Sequence, residues 1–346
     1  MNHDPGTLRN RSRPSMWRRF QQLPARKRGI FAGLIAVIIV LIAAALTYAY
    51  VYQNPTKVVS DGIMQALNSR SVVYTGTFTN TSGNKVTVDF NGGADTQGGS
   101  VDMKLNLTAL NKKYTIDGSG LLSDKGDLYF KIKNIDELVQ NYRKSVPAAS
   151  QGLFDQIVAK INDKWIKISS DDLKSYSPEI ATAQRCLTDT FKRMQTDETL
   201  RSEAAIAYKQ NPFIVIEKSL GSKDGSLGYL LTVDSTKAKS FTTAFRATSF
   251  YKILNACDKN LELKVDDLKS DKPMNQNTNV ELWVNNWNHQ ITKVVVSDKK
   301  NTTNLTVMPH FNKPVSVTTP RESTTLDQLQ KDIQDLLVSA ANAQAR

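Results

Sequence analysis

The sequence predicts an α+β protein: an N-terminal transmembrane helix followed by one large, curved antiparallel β-sheet wrapped around helices. Three observations predict it. Gly29–Tyr52 is a run of 24 residues with no formal charge. From Val72 onward, short runs alternate apolar and polar residues between turn formers, the period of half-buried strands. Helical spacing returns between and after those runs, so apolar helix faces are available to cover an apolar sheet face.

The apolar run comes first in the chain. As a helix it spans roughly 36 Å, enough to cross a bilayer with some tilt. Residues 1–28 carry eight Arg or Lys against the one acid Asp4, which places +7 of the net charge of +12 ahead of the run. That asymmetry predicts a plasma-membrane protein, single-pass, with a disordered basic tail over 1–28 in the cytoplasm and everything after Tyr52 outside. The run is longer than the apolar core of a cleaved signal peptide and closes on Tyr48, Tyr50 and Tyr52, residues suited to the membrane interface. An uncleaved anchor over 29–52 and a linker over 53–57 are therefore expected, with the bilayer as the first partner. The remaining positive charge is spread over Lys57–Arg346 with no basic stripe, which argues against nucleic acid as a partner.

After Asn54-Pro55, a helix breaker, the residues Val58, Val59, Ile63, Met64 and Leu67 recur at helical spacing. Five strand-like runs follow, from Val72 to about Asn134. Thr81-Ser82-Gly83-Asn84, Gly92-Gly93, Gly98-Gly99 and Asp124-Lys125-Gly126 read as the turns between them. Short connections demand antiparallel neighbours, hence a meander. One face collects Val86, Val88, Phe90, Met103, Leu105, Leu107, Leu128, Phe130 and Ile132; the other carries Thr, Asp, Asn and Lys.

Helices are expected over Ile135–Val146 and Leu153–Ile161, a strand at Trp165–Ile168, and a charged helical insert at about 171–210. Two strands precede one long helix from Asp234 to about Cys257, with Phe241, Phe245, Thr248, Tyr251 and Leu254 as its apolar stripe. NVELWVNNW, QITKVVVSD, TNLTVMPHF and PVSVTTP read as four more strands, with Asn286–His289 at a hairpin tip. Thr325 with Gln328 suggests a capping box opening a last amphipathic helix within 321–346, whose tail from Ala340 frays. The later strands are read as lacking a meander of their own, so one domain over 58–320 is preferred to two.

Cys186 and Cys257 both fall on the outer side, where an oxidising compartment favours a disulfide; the alternative is two buried thiols in unrelated helices. Two Cys and the scattered His3, His289 and His310 do not make a metal site, and no cofactor is expected. Neither His289 nor His310 has a nucleophile motif nearby, and Asp171-Asp172 and Asp266-Asp267 read as caps or solvated charge. The glycine pairs lack the Lys-Ser/Thr of a phosphate loop. The chain is not expected to be an enzyme.

The order of elements, and the run from Glu281 to Pro320, resemble the LolA/LppX-like superfamily of bacterial lipoprotein and lipid carriers. The matching positions are Leu282, Trp283 and Val284, then Pro314, Val315, Val317 and Pro320, with an opening helix and strand such as Val72–Phe78. The resemblance covers about Val58 to Pro320. It implies a half-barrel whose apolar face accommodates acyl chains, and hence a lipid or lipoprotein ligand. On that reading Val88, Phe90, Met103, Leu105, Leu107, Leu128, Phe130, Ile132, Phe241 and Phe245 face the ligand. Two features depart from the family pattern: the transmembrane anchor and the charged insert. The competing expectation is a barrel plugged by its own helices, a structural or partner-binding module of the cell envelope.

Overall fold

The computed structural model describes residues 40, 51–95, 97–109, 112–143, 147–258 and 278–344. The basic tail, and the expected anchor apart from Val40, Val51 and Tyr52, lie outside the described residues. Among the described residues no helix is long and apolar enough to cross a membrane. Pro55–Arg346 forms a compact unit of its own.

Within that unit the fold is α+β, built on one twelve-stranded sheet that does not close. Helix α1 (Pro55–Leu67) starts at Pro55, the first-turn position where a missing N–H costs nothing. The strands β1 (Val72–Asn80), β2 (Val86–Asp95), β3 (Gly98–Ala109), β4 (Lys112–Ser123) and β5 (Leu128–Lys133) follow as an antiparallel meander. After α2 (Asp136–Arg143) and α3 (Ala148–Ile161), β6 (Ile166–Ile168) adds to β5. The charged insert is three helices: α4 (Ser170–Tyr176), α5 (Pro178–Thr196) and α6 (Glu198–Gln210). Ser169, Ser177 and Asp197 cap them in turn, each side chain accepting backbone N–H groups of the first turn.

The strands β7 (Ile214–Lys223), β8 (Ser226–Val233), β9 (Thr278–Asn285), β10 (Ile291–Asp298) and β11 (Thr303–Phe311) complete the sheet, with α7 (Ser235–Ala247) and α8 (Ser249–Asp258) between β8 and β9. Contrary to the sequence reading, these five strands do form a meander of their own. What unites the halves is β1, which pairs with β11 from Val72↔Phe311 to Asn80↔Thr303. The single sheet therefore rests on one long seam between two meanders.

Two further expectations are corrected. The long helix from Asp234 breaks at Thr248, whose ψ of 151° is extended; the Thr248 hydroxyl and the Glu203 carboxylate then accept the N–H groups that open α8. The run PVSVTTP, read as a strand, pairs with none: the last strand is β12 (Thr324–Thr325), which lies parallel to β6 and makes the sheet mixed. Helix α9 (Leu326–Gln344) then continues past Ala340, where fraying was expected. Thr325 accepts from the Gln328 N–H, so one half of the capping box is present.

Residues 312–323 instead form a strap. The strap leaves β11 at Phe311, opposite Val72, and rejoins the sheet at Thr324, opposite Ile166; Val73 and Lys167 are the next residues of β1 and β6. Register links those two points through Gly93, Ser100, Leu121 and Tyr129, one row on the polar face. Crossing seven strand spacings takes roughly 34 Å, so a segment of this length runs nearly extended. Val315 packs where a side chain on Gly93 would lie, at 3.1 Å, and Leu121 and Tyr129 in the same row are buried. Alternation in PVSVTTP thus reflects one-sided burial against a sheet face.

The core sits where α1 crosses the second meander. Val58 (0% exposed) and Val59 meet Tyr229, Leu282, Val284 (0%) and Ile291. Gly62 allows the approach, since a Cβ there would lie 3.0 Å from the His289 carbonyl. His289, 1% exposed, has its Nδ1 at 2.8 Å from Asp61, which also accepts from Lys57 at 2.5 Å. Gln65 donates to the Asn288 carbonyl at 2.7 Å, so α1 is fastened to the β9–β10 hairpin by polar as well as apolar contacts.

Candidate functional site

The register puts the expected apolar residues of the first meander on one face. Across β1, β2, β3 and β4, the rows are Phe78–Val88–Leu105–Ile116 and Gly76–Phe90–Met103–Gly118, the second extended by Ile132 of β5. The next rows are Tyr74–Gly92–Val101–Gly120–Phe130 and Val72–Ala94–Gly99–Leu122–Leu128, ending on Ile166 and Ile168 of β6. Val88, Phe90, Met103, Leu105, Leu107, Leu128, Phe130 and Ile132 therefore share one continuous apolar strip. It is poorly covered: Met103 is 43% and Leu128 36% exposed.

At the end of this strip nearer the β2–β3 and β4–β5 turns lies an open cavity of about 400 Å³. Tyr74, Ala94, Val101, Leu122, Leu128, Phe130 and Ile168 present side chains to it. Its floor is low because Gly99 and Gly120 carry no side chain: a Cβ on Gly120 would meet only the Val101 Cγ1, at 3.2 Å. Glycine also admits aromatic rings elsewhere on the face, Phe90 lying over Gly76 and Tyr74 over Gly92. The Tyr74 hydroxyl reaches the Ser100 carbonyl at 3.5 Å; burial holds that phenol above its ordinary pKa, so it stays protonated. No charged side chain lines the trough, so what it can do chemically is exclude water from an apolar group.

Of the ten expected ligand-facing residues, Leu128 and Phe130 line this cavity, and six more continue its apolar face. Phe241 and Phe245 lie elsewhere. They stack with centroids 5.5 Å apart in an aromatic cluster that joins Tyr208 and Phe213 to Phe250 and Tyr251. That cluster binds helices α6, α7 and α8 to one another, and burial pushes the Tyr208 hydroxyl up to about 12. Tyr74, Ala94, Val101, Leu122 and Ile168 were missed, although the same alternation that picked out Val88 and Phe90 runs through them. The glycine pairs Gly92-Gly93 and Gly98-Gly99 hid them: both read as turns, whereas Gly92-Gly93 lies inside β2 and Gly98-Gly99 opens β3.

Cys186 and Cys257 form a disulfide, with Cα atoms 5.6 Å apart, tying α5 of the insert to α8. Beyond the row under the strap, the opposite face of the first meander carries paired polar groups: Thr77 donates to Asp89 at 2.9 Å, Ser119 to Asp102 at 2.7 Å and Asn134 to Asp117 at 2.6 Å. His289 is bonded within the core and His310 is exposed on the polar face of β11. Among the described residues no group of three His, Cys, Asp or Glu could hold a metal. No protein-family model matches the chain, and no curated protein matches it.

Proposed function

We propose that this chain is a membrane-anchored extracytoplasmic protein that binds, shields or transfers a lipid or other apolar ligand on the uncovered apolar face of its first meander. The single observation that carries the reading is the open, glycine-floored trough of about 400 Å³ between Tyr74 and Ile168, lined almost wholly by apolar side chains. A soluble domain rarely leaves such a surface uncovered without something to place on it. The charge-flanked run Gly29–Tyr52 supports the anchor, N-terminus inside, and the resemblance to the lipoprotein and lipid carriers supports a half-barrel holding acyl chains. The function is binding, with no catalytic step and no cofactor.

The test is lipid extraction and native mass spectrometry on the full chain purified in detergent. A defined co-purifying acyl species supports the reading. A chain that carries no lipid, and takes up none from a fatty-acid or phospholipid panel, removes it.

A second reading has its own observation: α1 covers the centre of the second meander, where Val58 and Val284 are inaccessible. If the first meander is likewise covered by a protein, the domain is a partner-binding module of the envelope. The same extraction separates the two readings, since a partner-binding module yields a lipid-free chain.

A further inference from the structure

The strands place their turns at two ends of the sheet, and the ends differ in charge. At one end lie the β1–β2, β3–β4 and β10–β11 connections, joined by the register Asn80↔Val86, Val86↔Leu107 and Asn80↔Thr303. Lys85, Lys112, Lys113, Lys299 and Lys300 sit at these tips, all exposed. The only acid among them, Asp298, is engaged by its own turn, accepting from the Thr302 hydroxyl at 2.5 Å and the Thr303 N–H at 3.0 Å. The six strands involved are consecutive in the sheet, so the lysines follow one rim about 24 Å long. At the other end the β2–β3, β4–β5 and β7–β8 turns carry Asp95, Asp124, Asp127 and Asp224 against Lys125 and Lys223.

Helix α1 has a direction relative to these ends. Its first turns, at Thr56 and Ser60, share a small cavity with Ile214, Val215 and Ile216 at the start of β7. The register Ile214↔Val233, Leu231↔Val280, Val296↔Leu305 and Leu305↔Phe78 carries that position across to the lysine-tipped rim. The second half of α1 is bonded to Asn288 and His289 at the opposite end. Only Gln53 and Asn54 separate Pro55 from the last residue of the apolar run, Tyr52.

We infer that the rim formed by Lys85, Lys112, Lys113, Lys299 and Lys300 docks on the anionic headgroups of the bilayer that holds the anchor. The inference rests on the anchor reading given above, because chain continuity then brings the α1 N-terminus, and the rim beside it, to the membrane surface. Three neighbouring hairpins bearing exposed lysines match an anionic lipid surface in sign. Docking would hold the β7–β11 half and the first meander at one height, with the apolar trough at the end remote from the headgroups.

The test reconstitutes the full chain in nanodiscs of phosphatidylcholine, with and without about 30% phosphatidylglycerol, and reads lysine acetylation by peptide mass spectrometry. Acetylation of Lys85, Lys113, Lys299 and Lys300 is expected to slow about threefold or more in the anionic discs, to recover in about 0.5 M salt, and to leave Lys125 and Lys223 unchanged. Lys299→Glu with Lys300→Glu is expected to abolish the slowing at Lys85 and Lys113. Equal rates in the two discs, with the chain eluting on them, overturn the inference and leave the anchor standing. A chain that does not elute with the discs overturns the anchor and the inference together. Slowing by soluble heparin on neutral discs, with none from phosphatidylglycerol, assigns the rim to a soluble polyanion and also overturns it.

Discussion

The two meanders carry the same kind of alternating sequence and differ in what lies on their apolar faces. On β8 and β9, Tyr229, Leu282 and Val284 are buried under α1, whose Val58 and Val59 fill the surface between them. On β2, β3 and β5, the equivalent positions Phe90, Met103 and Leu128 remain partly or largely accessible. The polar faces differ in the opposite sense. The first meander has a strap of backbone laid across its polar face at Gly93, whereas Trp283 on the polar face of the second covers Gly228 and carries the Lys293 ammonium 4.6 Å above its ring. Alternation therefore reports which face of a strand is apolar, and the covering element decides whether that face is core or surface.

The largest expected effect breaks the helical layer that accompanies the sealed half. Replacing Cys186 and Cys257 by Ser opens a loop of 71 residues, and a loop of this size is worth about 4 kcal/mol in the chain-entropy account. The urea midpoint should fall accordingly, and reductant should reproduce the loss in the native chain. A change under about 1 kcal/mol would mean that α5 and α8 are held by their packing and not by the bridge. Next in size is a matched pair of truncations. Leu282→Ala, in the sealed half, should cost about 3 kcal/mol, whereas Met103→Ala, on the open half, should cost less than about 1. Equal losses measured by denaturant titration would show that something else covers Met103, and the contrast between halves would disappear.

The inward face of the first meander was readable because Val88, Phe90, Met103 and Leu105 alternate with charges, and strict period two leaves one choice of face. The disulfide was readable from the expectation that Cys186 and Cys257 both lie on the outer side. The trough was not, for two physical reasons. Glycine has the same one-letter appearance in a turn and in a strand whose floor must be bare, so Gly92-Gly93 and Gly98-Gly99 read as turns in the sequence. Coverage is a tertiary property: Phe241 and Phe245 have the spacing to lie on a sheet, yet Phe241 meets Tyr208 and Phe213, and the break at Thr248 folds Phe250 and Tyr251 onto Phe245. Beside the local Thr248 cap, Glu203, 46 residues away, accepts from the Ser249 N–H and hydroxyl, a contact no local pattern announces. The strap fails for a related reason, since Val315 and Val317 alternate against a face and need no strand partner.

The α1 clasp offers a smaller and pH-dependent test of the sealed half. Burial alone would raise the Asp61 carboxyl, but hydrogen bonds from Lys57 and His289 outweigh it and hold the group below its ordinary value. A lowered carboxyl adds stability that is complete above its unfolded pKa of about 3.9 and is lost as pH falls through the lower folded value. Asp61→Asn should therefore cost about 1–2 kcal/mol near neutrality, reduced by its partial exposure, and the deficit should vanish in acid. A deficit independent of pH down to about 2 would mean that the side chain acts by shape and not by charge.

The smallest effect on stability, and the sharpest on the open half, is expected from Gly120→Leu. The new Cβ presses on one methyl of Val101, a contact that gives by a few tenths of an ångström, and the backbone at Gly120 is ordinary strand. A leucine at a strand position is at least as favourable as glycine, so the denaturation midpoint should move by less than about 0.5 kcal/mol in either direction. The side chain would nonetheless rise into the floor of a cavity of only about 400 Å³. Co-purifying lipid should fall several-fold while the fold persists, and the same substitution should leave α1 and its core untouched. Undiminished lipid in a stable Gly120→Leu chain would move the ligand off this face, and the open half would then be a surface waiting for protein.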